Sequence, residues 1–233
     1  MISLTRYLRL SIPVVVVLGC AGAADSSAPA ITPAALTATY NGDATYYAAT
    51  GKGSCGGEAT SDLHVAALAQ PSWAGASFCG ACAQVTGPKG HTFVRIVDMC
   101  PECKDASLDL GEPAFAELDK LSVGRIPITW KLAPCPVQGP VQYYVVDGSS
   151  KYWIGIRVRH HRVPVASLEL EVNGSFVALE RKQWNDFVLA SGVKTDGPFR
   201  VRVTAWSGQV LEDTLPGPTP KATFEGKAQF DTF

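Results

Sequence analysis

The chain has no surplus of positive charge. Its 233 residues carry 20 Lys+Arg against 21 Asp+Glu, a net charge of −1, and neither half has the basic excess that nucleic-acid binding would need. Nucleic-acid binding draws its affinity from neutralised phosphates, so no nucleic-acid partner is expected. Histidine is scarce, at four residues. His160 and His161 are adjacent and diverge on a strand, while His64 and His91 have no partner at useful spacing, so a surface or packing role outweighs a metal role and neither metal nor cofactor is expected. No internal repeat and no low-complexity tract is visible. Beyond Gly139 there is no cysteine.

Long hydrophobic runs are also missing. The most apolar stretch lies in MISLTRYLRLSIPVVVVLGCAGAADSS and is too short to span a bilayer comfortably. Two arginines, an apolar segment and small residues follow one another in the order of a secretory signal, so residues 1–24 are set aside and the chain is read as exported. Cleavage after Ala21-Gly22-Ala23 gives a free protein. Cleavage before Cys20, in a VLGC sequence resembling a bacterial lipoprotein signal, gives a lipid anchor at Cys20.

Six cysteines stand outside that leader: Cys55, Cys79, Cys82, Cys100, Cys103 and Cys135. Cys79-x-x-Cys82 and Cys100-x-x-Cys103 lie seventeen residues apart, which is zinc-ribbon spacing. An exported chain meets an oxidising compartment, however, and an even count there favours three disulfides over a thiolate metal site. A redox-active C-x-x-C is disfavoured, because no βαβ pattern surrounds either pair.

With 46% hydrophobic residues and 22 Gly the chain is globular, and its length allows two cores. Before Gly139 the segments ATYYA, CAQVTG, HTFVRIVDM, SLDL and RIPITWKLA read as short strands, and GEPAFAELDKL reads as one helix. After it VQYYVV, WIGIRVRHH, SLELEVNGSFVALE, DFVLAS and FRVRVTAW alternate in period two between Asp-Gly, Asn-Gly and Ser-Gly turns. This half reads as a β-sandwich of about ninety residues. PCPVQGPVQ is a short proline-stiffened linker, and the tail PGPTPKATFEGKAQFDTF reads as edge or loop. The two units are placed at residues 36–136 and 140–233.

Seven segments, GDATYY, CGACAQVTGPKG, VRIVDMCP, SLDLGEPAFAEL, IPITWKL, GSSKYWIGIRVRHHRVPV and RKQWNDFV, occur in the order and spacing of a bacterial expansin. The resemblance covers essentially everything from Leu36 onward. It implies an all-β protein: a six-stranded double-psi β-barrel, similar to family 45 glycoside hydrolases and barwin, then an immunoglobulin-like sandwich that binds cellulose. The implied activity is loosening of noncovalent contacts between wall polysaccharides without cutting them, by a secreted or lipid-anchored monomer. Likeness to barwin implies Cys55–Cys79 and Cys82–Cys135 disulfides and leaves Cys100 with Cys103. Where several bacterial expansins have a groove tyrosine this chain has Cys100, and a family lysine is replaced by Val146.

On the family pattern Thr45, Asp98 and Asp109 form the polar cluster of the barrel groove, with Tyr46 and Tyr47 beside Thr45 as substrate contacts. Both aspartates end apolar runs, where a barrel can hold two side chains at an open face. Burial and a neighbouring carboxylate raise a pKa, so one of them can stay protonated near neutrality. Resemblance to the hydrolases assigns Asp109 the donor role, positioned by Asp98 and Thr45. Taken singly, either aspartate reads more simply as a turn or helix cap. Inverting hydrolysis needs a second carboxylate to activate water. The hydrolases carry it just after Thr-x-Tyr, where this chain has Ala48 and Ala49; Asp43, Glu58 and Asp62 are the nearest acids in sequence. A single acid suits non-hydrolytic loosening, and it also suits a lytic transglycosylase acting on peptidoglycan or a family 45-like endoglucanase.

Tyr152, Trp153 and Trp184 match the family's linear aromatic triad, and exposed aromatic faces stack on pyranose rings of cellulose, xylan or peptidoglycan. The competing reading is a core role, which Trp206 fills more naturally. Tyr152 and Trp153 point to opposite faces of a regular strand unless a loop re-aims one of them.

Overall fold

The computed structural model describes residues 33–233. The leader and the Cys20 anchor lie outside these residues. Six strands, β1 (Thr39–Tyr47), β2 (Val65–Ala69), β3 (Cys82–Thr86), β4 (His91–Cys100), β5 (Leu108–Gly111) and β6 (Ile126–Ala133), close a barrel in the order β1-β5-β2-β4-β3-β6. The pairs β1·β5 and β2·β4 are parallel, and the others are antiparallel. This is the double-psi barrel. Its interior follows from alternation: in β6 Ile126, Ile128, Trp130 and Leu132 are buried while the residues between them face out.

Strand β2, VAALA, is buried along its whole length. The sequence carries no strand signal here, for a physical reason. Alanine has low strand propensity, and a strand covered on both faces shows no alternation. Small side chains are what a central position flanked on both sides permits.

The expected helix forms over Glu112–Leu118 (α1), with Pro113 in its first turn and Ala114, Phe115 and Leu118 buried against the barrel. Gly111, preceding it, sits so close to Leu63 that a Cβ would lie 2.1 Å from the Leu63 carbonyl oxygen.

The second unit holds β7 (Gln142–Val145), β8 (Ile154–Arg159), β9 (Val165–Val172), β10 (Ser175–Ala178), β11 (Glu180–Arg181), β12 (Phe187–Leu189), β13 (Phe199–Ala205), β14 (Val210–Leu215) and β15 (Thr223–Glu225). They form two sheets, β10-β9-β13-β14 and β11-β12-β8-β7-β15. The Asn173-Gly174 turn joins β9 to β10 with both residues at positive φ, 52° and 80°. The tail contributes edge strand β15 and also buries Phe230 completely. Gln229 fixes that end by donating to the carbonyls of Gly139 (3.1 Å) and His160 (2.8 Å).

The two units share an apolar seam. Phe78 meets Trp206 edge to face, with centroids 5.0 Å apart, so Trp206 is buried as expected but partly against the barrel. Trp73 donates its indole N–H to the Gln183 carbonyl at 3.1 Å. Arg157 donates to the Gly56 carbonyl and pairs with Asp186 at 2.7 Å.

All six cysteines among the described residues are bonded: Cys55–Cys79, Cys82–Cys135 and Cys100–Cys103. The ribbon-like spacing of the two C-x-x-C motifs therefore does not mark a metal site, since Cys79 and Cys82 pair outward to different partners.

Candidate functional site

Strand register draws four residues into one row across the barrel. Thr45 on β1 lies opposite Asp109 on β5, Asp109 opposite Ala67 on β2, and Ala67 opposite Asp98 on β4. The β2·β4 pairing skips Val97, and this irregularity places Asp98 level with the row. Ala67 ends in a methyl group, so nothing bulky stands between the two carboxyls.

Ala67, Asp98 and Asp109 of this row line a groove of about 280 Å³ together with Tyr47, Met99 and Cys100, and with the exposed Pro101 and Glu102 at its edge. The Thr45 hydroxyl donates to Asp109 Oδ1 at 2.5 Å. Asp98 Oδ1 accepts the backbone N–H groups of Ser54 (2.7 Å) and Met99 (2.8 Å). The loop bearing Ser54 comes this near because residue 53 is glycine: a Cβ there would lie 2.5 Å from Asp98 Cβ.

Burial holds the Asp109 carboxyl above its ordinary range, and the field of Asp98 adds to the shift. The Thr45 hydrogen bond and the charge of Arg125 act the other way. The phenol of Tyr47 is pushed up to about 12, by burial first and then by Asp98 and Asp109. Its hydroxyl is buried without a hydrogen-bond partner among the described residues. The groove therefore offers a carboxyl biased toward its protonated form and a phenol that keeps its proton.

Tyr46 is a correction. Thr45 and Tyr47 share the groove face, and alternation turns Tyr46 to the other side, where its ring packs on Phe115 with centroids 5.0 Å apart. The three acids nearest Thr45 in sequence are engaged elsewhere: Asp43 with Arg125 (3.4 Å), Glu58 with Arg159 (3.5 Å) and Asp62 with His64 (3.1 Å). Glu102 was passed over by sequence reasoning. Its position between two bonded cysteines was the available signal, since the disulfide folds the C-P-E-C loop over the groove rim.

At Met99 the groove meets a second depression of about 560 Å³, lined among others by Ser54, Gln70, Trp73 and Trp184. Trp184 is 53% exposed on the loop between β11 and β12, and Tyr152 is 69% exposed. Tyr152 and Trp153 occupy a turn, closed by a bridge between Ser150 and Trp153, that resolves the conflict expected for adjacent strand residues. On β8 Ile154, Ile156 and Val158 point into the core, which leaves Trp153 on the outer face with Gly155. Phe187 pairs with Ile156, so Trp184 lies toward the Arg159 end of β8 and Trp153 at the opposite end. Six residues of strand separate those ends, roughly 20 Å.

His160 and His161 each bond a backbone carbonyl, Gln138 and Val163 respectively. His161 is buried, donates Nδ1–H to the Val163 carbonyl at 2.9 Å, and is held neutral by burial, its pKa pushed down to about 3.

A family model described as "Lytic transglycolase" matches residues 39–130. Over 211 residues the chain is 34% identical to Expansin-YoaJ of Bacillus subtilis (strain 168), covering 84% of this chain and 89% of that protein. Expansin-like protein 1 of Dictyostelium discoideum is 28% identical over 202 residues, 80% of this chain and 70% of that one. The crystal structure of the apo expansin of Clavibacter michiganensis superposes with a TM-score of 0.74 at 30% identity, covering 82% of this chain and 98% of that chain. The chain belongs to the expansin family. A mutant of the Clavibacter expansin, solved in complex with cellohexaose, superposes equally well, with a TM-score of 0.75. In this expansin the row Thr45–Asp109–Ala67–Asp98 lies on strands within the span that the transglycolase model matches, and the aromatic residues lie beyond it.

Proposed function

We propose that this expansin holds a cellulose chain along Tyr152, Trp153 and Trp184 and uses Asp109, positioned by Thr45 and Asp98, to disturb the contacts of a glycan lying in the barrel groove. As an expansin it is an extracellular, cellulose-binding protein that loosens wall polysaccharide rather than hydrolysing it. The observation that carries the site assignment is the row Thr45–Asp109–Ala67–Asp98 at the floor of a groove that leads to Trp184. Loosening needs competition for the hydrogen bonds that tie one glucan to its neighbour. A protonated Asp109 and the unpartnered Tyr47 hydroxyl supply two donors, and Asp98 supplies an acceptor. Stacking on flat aromatic faces holds the chain without demanding many polar contacts. We assign no catalytic base: the sequence position that holds it in the hydrolases has Ala48 and Ala49, which line a separate depression beside Tyr47. Release into the medium and lipid anchoring through Cys20 are both compatible with this action. The test is weakening of cellulose paper by wild type and by Asp109→Asn, with binding to cellulose, xylan and peptidoglycan measured on the same samples.

One observation supports a second reading. Glu102 stands at the rim of the groove that holds Asp109, and the barrel matches the transglycolase model. An acid opposed by a second carboxylate is the arrangement of glycan cleavage. New reducing ends that disappear in both Glu102→Gln and Asp109→Asn would establish this reading, and anhydro-sugars lost only in Asp109→Asn would mark a single-acid transglycosylase.

A further inference from the structure

We propose that the cleft between barrel and sandwich is a second glycan site, which takes an oxyanion carried on a sugar ring, as in a uronate carboxylate or a sugar phosphate. The expansin reading enters only in expecting a glycan as the carrier. The cleft encloses about 240 Å³ over an apolar floor that includes Ile96, Val97 and Val158, and Arg95, Arg157 and Arg159 enter it. Ligand pockets for drug-sized molecules run from about 300 Å³ upward, so this one suits a single sugar residue. Its floor matches a ring face and its guanidiniums match an oxyanion.

The arginines are not all committed to a buried ion pair. Arg157 is: it is bonded to the Gly56 carbonyl and to buried Asp186. Arg95 donates to the Gly80 carbonyl at 3.3 Å and forms no ion pair with any acid among the described residues. Arg159 lies over the Tyr144 ring, 3.9 Å from its centroid, which fixes the guanidinium. It reaches the Gly56 carbonyl only at 3.5 Å, and its acidic partner is Glu58, at 3.5 Å, whose side chain is 74% exposed against 22% for Arg159. Such a loose, solvated partner is readily displaced by an incoming anion. The Nε atoms of Arg157 and Arg159 are buried and unpartnered. Burial lowers the pKa of both Arg95 and Arg159, the mark of desolvated cations lacking full compensation. His161, neutral beneath them, relieves none of this charge. Arg157 and Arg159 also share the outer face of β8 with Trp153, so the cleft opens along the sheet that carries the aromatic contacts.

The test is calorimetric titration of the full protein with galacturonate, glucose 6-phosphate and neutral galactose, alongside retention on cellulose. Either anion should bind at least tenfold tighter than galactose, and the tighter of the two names the carrier. Arg95→Gln and Arg159→Gln should each weaken that binding fivefold or more, and Arg95→Gln should leave cellulose retention unchanged. Should either variant fold poorly, Arg159→Lys and the side-chain Nε–H resonances of the wild-type arginines give the same answer, because the bound anion must shift those of Arg157 or Arg159. No preference over galactose, unshifted arginine signals, or full binding in the folded glutamine variants would overturn the proposal. Loss of cellulose retention by the wild type would count against the cellulose reading and leave this one standing.

Discussion

The Thr45 hydroxyl and the Asp109 carboxylate meet at 2.5 Å across the parallel pairing of β1 and β5. The contact fixes one carboxyl oxygen, so Thr45→Ala frees the Asp109 side chain and removes a hydrogen bond that favours its ionised form. Loosening activity should fall several-fold, and the pH above which activity declines should move upward. An unchanged pH profile of paper weakening in Thr45→Ala would show that the contact is structural only.

The raised pKa of Asp109 has a consequence for stability. A group whose pKa is higher folded than unfolded contributes stability that is fully present below the unfolded value, about 4 for a carboxylate, and lost as pH rises through the folded value. Asp109→Asn keeps an acceptor for Thr45 and abolishes the cost of ionisation. Its Tm should exceed that of the wild type by roughly 1–3 °C at pH 7, with the gap closing toward pH 3. Thermal unfolding across that range checks the sign; a variant less stable at pH 7 would mean that Asp109 is a structural cap.

Tyr47 hides an unpartnered hydroxyl in the same groove. Removing an unsatisfied buried hydroxyl gains on the order of 1 kcal/mol, so Tyr47→Phe should be more stable than the wild type. If a sugar hydroxyl is its missing partner, the same change should cost several-fold in loosening. A variant that gains stability and keeps full activity would remove Tyr47 from the site.

Trp153→Ala and Trp184→Ala should each weaken cellulose binding several-fold, at about 1 kcal/mol per stacked ring, with the fold intact and the double variant weaker still. High salt should hardly matter, because stacking is screened far less than charge pairing. Retention of the double variant on cellulose at wild-type level would place the binding surface elsewhere.

Three disulfides close loops of very different length, with partners 24, 53 and 3 residues apart. Chain-entropy estimates give about 3.5, 4 and 2 kcal/mol respectively. Cys100 and Cys103 are partly exposed while the other four cysteines are buried, so mild reductant should open Cys100–Cys103 first, with the smallest loss of Tm of the three. Mass spectrometry of partly reduced, alkylated protein reads the order directly.

What was legible in the sequence divides along physical lines. Sandwich strands announced themselves because one face of each is wet, which imposes alternation on stretches such as FRVRVTA. Asp98 and Asp109 were legible as ends of apolar runs, but their common row depends on β2, an alanine strand without propensity or period, and on the skipped Val97. Tyr46 was misplaced because motif matching ignores pleat. Phe230 was missed because a polar tail gave no pattern to mark one buried ring. The arginine cleft needed both units, since Arg95 belongs to the barrel and Arg157 and Arg159 to the sandwich.

The most direct test of the account measures the mechanical weakening of cellulose paper by wild type and Asp109→Asn, with reducing ends and anhydro-sugars assayed in the same tubes. Wild type should weaken the paper without new reducing ends or anhydro-sugars, and Asp109→Asn should lose this action while cellulose binding stays constant. Weakening at full strength in Asp109→Asn, or cleavage products that vanish with it, would contradict the account.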